Sequence, residues 1–184
     1  MKLPFDSYIR SNFEVLGLLD TSALEELRVH LAEMADSGAT LWVAGNGGSE
    51  TTASHFVADM VKSALQFGNK SVRTIALTEQ SALNTALIND ISFEESLAEQ
   101  LALQARRGDT FLYLSVSGLS PNLVTAAEKA EQLGISTIGI VGERGEPVAR
   151  QLCKVAIIVP SDDYQIVENA HVFIMHWLCK VLEG

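Results

Sequence analysis

His55 and Asp59 stand four residues apart in a helical stretch, which makes them neighbours across one turn of a single face. An imidazole and a carboxylate so placed can chelate a divalent metal or pass a proton between them. A plain surface contact is the other reading that this spacing leaves open. Glu168 and His176 lie in a closing segment that is otherwise apolar. An ionisable side chain in such a segment is costly unless it is paired or used. Their separation of eight residues is roughly 12 Å of helix rise, so one metal joins both only if the side chains lean together or the ligands come from two chains. His171, three residues from Glu168, is a weaker candidate and can be read as its structural partner.

Two loops of small residues supply the rest of the chemistry. Gly45-Asn46-Gly47-Gly48-Ser49 follows the apolar run Leu41–Ala44, and Ser115-Val116-Ser117-Gly118-Leu119-Ser120 follows Phe111–Leu114. Each run reads as a buried strand and each loop opens a helical pattern. Free N–H groups and small hydroxyls gathered at strand ends beside helix N-termini make an anion site. Ser120 suits an N-cap and Pro121 a first helical position. A phosphorylated small molecule is the expected ligand, with His55 and Asp59 a turn or so beyond the first loop. Asn89-Asp90 either forms a turn or receives sugar hydroxyls. Arg106-Arg107 and Gly142-Glu143-Arg144-Gly145 read as solvated loops.

The elements that must hold these groups follow from periodicity. Phe5, Ile9, Phe13 and Leu16 mark one amphipathic helix; Leu24, Leu27, Leu31 and Met34 mark a second, with Ser22–Glu25 as a capping box and Ser37-Gly38 as its end. Strands are then expected near 40–44, 71–77, 110–114, 136–141 and 155–159. Helices are expected near 50–65, 81–88, 93–105, 121–133, 147–151 and 164–182. Several strands are apolar without alternation, which favours a parallel sheet covered on both faces. Strand–helix alternation gives the doubly wound α/β class with five parallel strands. The expected organisation is one domain over 1–184, a helical pair at 1–37 followed by an α/β core at 38–184.

Bulk properties narrow the function. A formal net charge of -10 weighs against binding nucleic acid. No apolar run is long enough to span a bilayer, and residues 1–6 show no signal-peptide core, so a cytoplasmic protein is expected. Cys153 and Cys179 lie in apolar surroundings and read as inert core thiols. The last helix is apolar nearly all round, with Val172, Met175 and Leu182 outside the main stripe; it needs cover on several sides, from the first helices or from other copies of the chain.

The motifs GNGGS, SxSGxS, HFxxD and ExxHxxxxH together resemble the sugar isomerase (SIS) domain, a flavodoxin-like fold, and within it the phosphoheptose isomerases. The resemblance runs over nearly the whole chain. It implies an aldose–ketose isomerase that converts sedoheptulose 7-phosphate to D-glycero-D-manno-heptose 7-phosphate through an enediol(ate). It implies substrate contacts from Asn46, Gly47, Gly48, Ser49 and Glu168, a phosphate pocket of Ser115, Val116, Ser117 and Ser120, and Asn89 and Asp90 facing the sugar. It also implies zinc on His55, Asp59, Glu168 and His176, with Asp59 and His176 as the acid–base pair, and a homotetramer with active sites between subunits. Three positions depart from the family: Asp59 where Glu is usual, Glu168 where Gln is usual, and Val116 where threonine is common. An isomerase of another sugar phosphate, or a non-catalytic sugar-phosphate-binding regulator or scaffold, would share the fold. The presence of both histidines favours an enzyme.

Overall fold

The computed structural model describes residues 4–67 and 72–182. The expected start of the second strand at Ser71 falls outside them. Helices α1 (Phe5–Gly17) and α2 (Thr21–Ser37) precede strand β1 (Thr40–Ala44) and helix α3 (Gly48–Phe67). Then come β2 (Arg73–Ala76), α4 (Ser81–Asp90), α5 (Ser96–Gln104), β3 (Thr110–Ser115) and α6 (Pro121–Gln132). The chain continues with β4 (Ser136–Gly142), a 3-10 turn at Glu143–Gly145, α7 (Glu146–Leu152), β5 (Val155–Val159) and α8 (Tyr164–Leu182).

All five strands are parallel, in the order β2-β1-β3-β4-β5. This is the flavodoxin-like doubly wound order. Its direction of winding reverses between β1 and β3, and the crevice beyond the carboxyl ends of those two strands is where ligands bind in such sheets. The two small-residue loops leave the sheet at that place.

Both faces of the sheet are packed, which accounts for strands without a polar side. Leu41 and Val43 of β1 join Leu31 of α2, Phe56 of α3 and Leu178 of α8 on one face. Trp42 and Ala44 join Leu101 of α5 and Leu123 of α6 on the other. The period-2 alternation of a strand thus separates two apolar sets instead of an inside from an outside.

Local chemistry moves some expected boundaries. The cap of α2 is Asp20, not Ser22: Asp20 Oδ1 accepts from the Ser22 and Ala23 N–H groups at 2.9 and 3.2 Å. A carboxylate satisfies these orphan donors better than a hydroxyl and complements the helix dipole. Glu25, the expected far side of a capping box, instead bonds Arg28. Gly38 ends the helix in the left-handed region, φ 73°. The segment Gly142–Gly145 is only partly solvated. Glu143 and Arg144 are exposed, whereas Gly142 and Gly145 are buried. The reason is a backbone contact: Gly145 packs its α-carbon against Gly118, itself at φ 64°, and a side chain on either would collide with the other.

Helix α8 is covered by α3 on one flank and by α1 and α2 on others. Asn169 donates to Tyr8 Oη and Asn12 Oδ1 at 2.7 and 2.8 Å, tying α8 to α1. Cover is incomplete: Phe5, Phe13 and Phe173 are exposed. Cys179 is buried, and burial pushes the half-buried Cys153 thiol up to about 11, which keeps that thiol unreactive.

Candidate active site at the sheet crevice

Helix α3 carries His55 and Asp59 on the face that packs along α8, and α8 brings His176 to the same place. Asp59 Oδ2 lies 3.2 Å from His55 Nε2 and 3.6 Å from His176 Nε2. The two rings meet edge to face, centroids 5.1 Å apart. One ligand atom from each of the three residues falls within 4.8 Å of the others. Two imidazole nitrogens and a carboxylate oxygen suit a divalent ion held by three protein ligands with a coordination position left open. The same contacts suit a carboxylate that shares protons with imidazole. Both histidine side chains are about half exposed, so the group opens to solvent on this chain.

Glu168 is not in that group. It lies two turns nearer the start of α8, at the level of the first loop, with its carboxylate against Gly48. There it lines a cavity of about 280 Å³ together with Asn46, Gly47, Gly48, Ser49, Leu114, Ser115, Val116, Ser117, Ser120 and Tyr164. The structure therefore gathers the expected loop residues and Glu168 around one cavity. It places Asn89 and Asp90 elsewhere, at the exposed end of α4, where Asn89 Nδ2 donates to Asp90 Oδ1 at 2.9 Å. His171 is not a partner of Glu168 either. It is fully buried, near the Ile140 carbonyl but without hydrogen-bond geometry to it, and burial pushes its pKa down to about 4.

The loops hold their donors ready for an anion. The first helical bonds of α3 are made by Ser49 and Glu50, both to the Asn46 carbonyl, so the N–H groups of Gly47 and Gly48 precede the helical ladder. In the second loop Ser115 Oγ accepts from Gly118 N–H at 3.0 Å and Ser117 Oγ from Leu119 N–H at 3.2 Å. A hydroxyl that accepts in this way keeps its own proton to donate. Ser120 sits at the N-cap of α6 with extended backbone, and its side chain makes no cap bond, so its hydroxyl is also uncommitted to the helix.

Two residues of this region escape a reading of the sequence. Tyr164 lines the cavity from the first turn of α8. Asn122 is buried on the first turn of α6 and exchanges a pair of amide hydrogen bonds with Asn46. Its only sequence signal is a polar residue directly before Leu123 in a helix that must bury that face.

The sheet order, the two loops at its reversal point and the histidine–carboxylate group define a sugar isomerase domain protein. A family profile described as the SIS domain matches residues 5–142. Phosphoheptose isomerase of Geotalea daltonii is 39% identical over 153 residues, covering 83% of this chain and 79% of the relative. That of Trichlorobacter lovleyi is 35% identical over 163 residues, covering 89% and 82%. The solved structure of a phosphoheptose isomerase from Francisella tularensis superposes with a TM-score of 0.87 at 26% identity, covering 97% of this chain and 95% of that one. The chain belongs to the phosphoheptose isomerase family of SIS-domain aldose–ketose isomerases.

Proposed function

We propose that this chain interconverts sedoheptulose 7-phosphate and D-glycero-D-manno-heptose 7-phosphate, with its phosphate held by the β3–α6 loop and its carbonyl end toward α3 and α8. The observation that carries this is the single Asp59 oxygen lying within 3.6 Å of both imidazoles, on the same helix α3 whose first residue lines the serine and glycine cavity. Asp59 takes the proton from C1 of the ketose while His176 gives a proton to O2, forming the enediol. Return of a proton to C2 and loss of the O1 proton complete the aldose, so no atom is gained or lost. The same His55, Asp59 and His176 could instead hold zinc, which when bound would polarise sugar oxygens as a Lewis acid; an atom that ligates the ion does not also carry the transferred proton. Glu168 faces the substrate from across Gly48. Incubating the purified protein with a panel of ketose phosphates, with and without added zinc, and identifying products by NMR tests this. Turnover of a different ketose phosphate in place of the heptose would reassign the substrate.

The active assembly is a homotetramer in this reading. Support comes from the exposed Phe5, Phe13 and Phe173 and from an apolar cavity of about 230 Å³ lined by Leu16, Leu19, Leu24, Phe173, Ile174 and Trp177. Association would also give the half-exposed histidines and the distant Asn89-Asp90 pair a chance to meet one substrate. Light scattering at micromolar concentration distinguishes tetramer from monomer. No described helix is long and apolar enough to cross a membrane. A cytoplasmic location belongs to the same reading, and the net charge of -10 weighs against nucleic acid as a partner.

A further inference from the structure

Two asparagines bridge the crevice between β1 and β3. Asn46 Nδ2 donates to Asn122 Oδ1 at 2.9 Å, and Asn122 Nδ2 donates back to Asn46 Oδ1 at 3.0 Å. Asn122 is 2% exposed and stands two residues after Ser120 on the first turn of α6. Asn46 belongs to the glycine loop that enters α3 and lines the cavity, whereas Asn122 does not line it. A buried amide is costly unless bonded, and two amides closing a ring on each other satisfy that need in one relative position only.

The ring joins the two walls of the anion cavity. The first wall is rich in glycine: Gly47 sits at φ 57° between Asn46 and Gly48, and glycines have more conformational freedom to lose on ordering than any other residue. The second wall is anchored by Gly118 on Gly145 and by the Ser-Pro start of α6. We propose that Asn122 is a positioning residue that acts through Asn46, latching the glycine loop to α6. Latched in this way, the Gly47 and Gly48 N–H groups and the Ser115, Ser117 and Ser120 hydroxyls address one phosphorylated ligand. Asn46 retains one N–H and one lone pair beyond the ring, so it serves as latch and cavity wall at once. Ordering the loop before the ligand arrives removes that cost from binding. The inference rests on the anion-site reading given above.

The test is a double-mutant cycle on the full chain with Asn46→Ala, Asn122→Ala and the pair. Two readouts are followed: KM and kcat on the sugar phosphate, and affinity for inorganic phosphate by calorimetry. Asn122→Ala should raise KM about tenfold and weaken inorganic phosphate comparably, with kcat held within about threefold. Added to Asn46→Ala, it should change KM by less than about twofold, because its partner is already gone. Asn122→Ser, which keeps a polar group but cannot reach Asn46, should behave like Asn122→Ala and serves if the alanine variant does not fold. A folded Asn122 variant with wild-type KM and phosphate affinity overturns the latch, as do losses that simply multiply. Failure of both variants to fold also overturns it and makes Asn122 a core residue. A wild-type chain that binds inorganic phosphate without turning over heptose phosphate refutes the substrate and leaves the binding arm to judge the latch. A wild-type chain that binds neither removes the anion site and the latch together.

Discussion

The Glu168 carboxylate rests against the α-carbon of Gly48: a β-carbon on residue 48 would stand 2.8 Å from Glu168 Cδ. Gly48 opens a 20-residue helix, so the carboxylate occupies ground that the helix dipole favours for any anion. Residue 48 is therefore small because another side chain uses the space. Gly48→Ala should displace Glu168, a flexible side-chain end, and leave the backbone in place. The expected result is KM raised about tenfold, from a displacement on the order of 1 Å at the cavity wall, with little change in melting temperature. Steady-state kinetics and thermal unfolding on the same sample check it; unchanged KM would mean that Glu168 is a bystander.

Ser117 and Ser120 offer their hydroxyl protons without committing them to the helix or the sheet. Each bond to a phosphate dianion should contribute about 1.5–3 kcal/mol, which makes Ser117→Ala and Ser120→Ala each cost roughly ten- to more than a hundredfold in substrate affinity. Circular dichroism should remain that of the wild type. Affinity unchanged in both variants would move the phosphate away from this loop.

His176 is half exposed, so its loss leaves no cavity in the core. His176→Ala should lower kcat by about 100-fold or more, the usual scale for a general acid–base group, with a melting temperature within about 2 °C of wild type. Metal content after dialysis against zinc should fall in the same variant, since one of three donors is gone. Wild-type turnover in His176→Ala would leave only a binding role for the site.

His171 should make stability fall as the medium turns acid. Burial holds its folded pKa near 4, against an ordinary 6.5 in the unfolded chain. Between those values the unfolded chain binds the extra proton, so stability falls as pH drops through 6.5 and the loss is complete only below 4. From pH 7.5 to pH 5 this residue alone should remove about 2 kcal/mol. His171→Leu should flatten that part of the pH profile, measured as urea midpoints across the range. Parallel profiles for wild type and variant would assign the acid sensitivity to carboxylates.

Long, strongly patterned elements were legible in the sequence. β1, β5 and α8 run over the residues that the sequence marks, the two strands because their short apolar runs leave little to misread. Short-range alternatives were harder. Asp20 and Ser22 both make acceptable caps, and the chain uses Asp20, whose carboxylate accepts from the Ser22 and Ala23 N–H groups. Glu168 carried a pattern that joins it to the metal group, yet eight residues of helix rise separate it from His176, and that rise leaves it beside the first loop. Asn122 was invisible because its partner is 76 residues away. No local spacing marks a bond between two loops that only the sheet brings together.

Helix α3 is also a ruler. Gly48 at its start borders the anion cavity, while His55 and Asp59 lie seven and eleven residues along the same rigid rod, where each residue adds about 1.5 Å. Under the proposed function, the span between the two ends of the site is thus a property of helix geometry and cannot be stretched by altering a loop. A relative that accepts a shorter or longer sugar must shift where the phosphate seats on the β3–α6 side, or move its proton-transfer residues by whole helical turns. Substrate length in this scaffold should accordingly change in steps, which gives an engineer few positions to vary and a reason to start at the far wall.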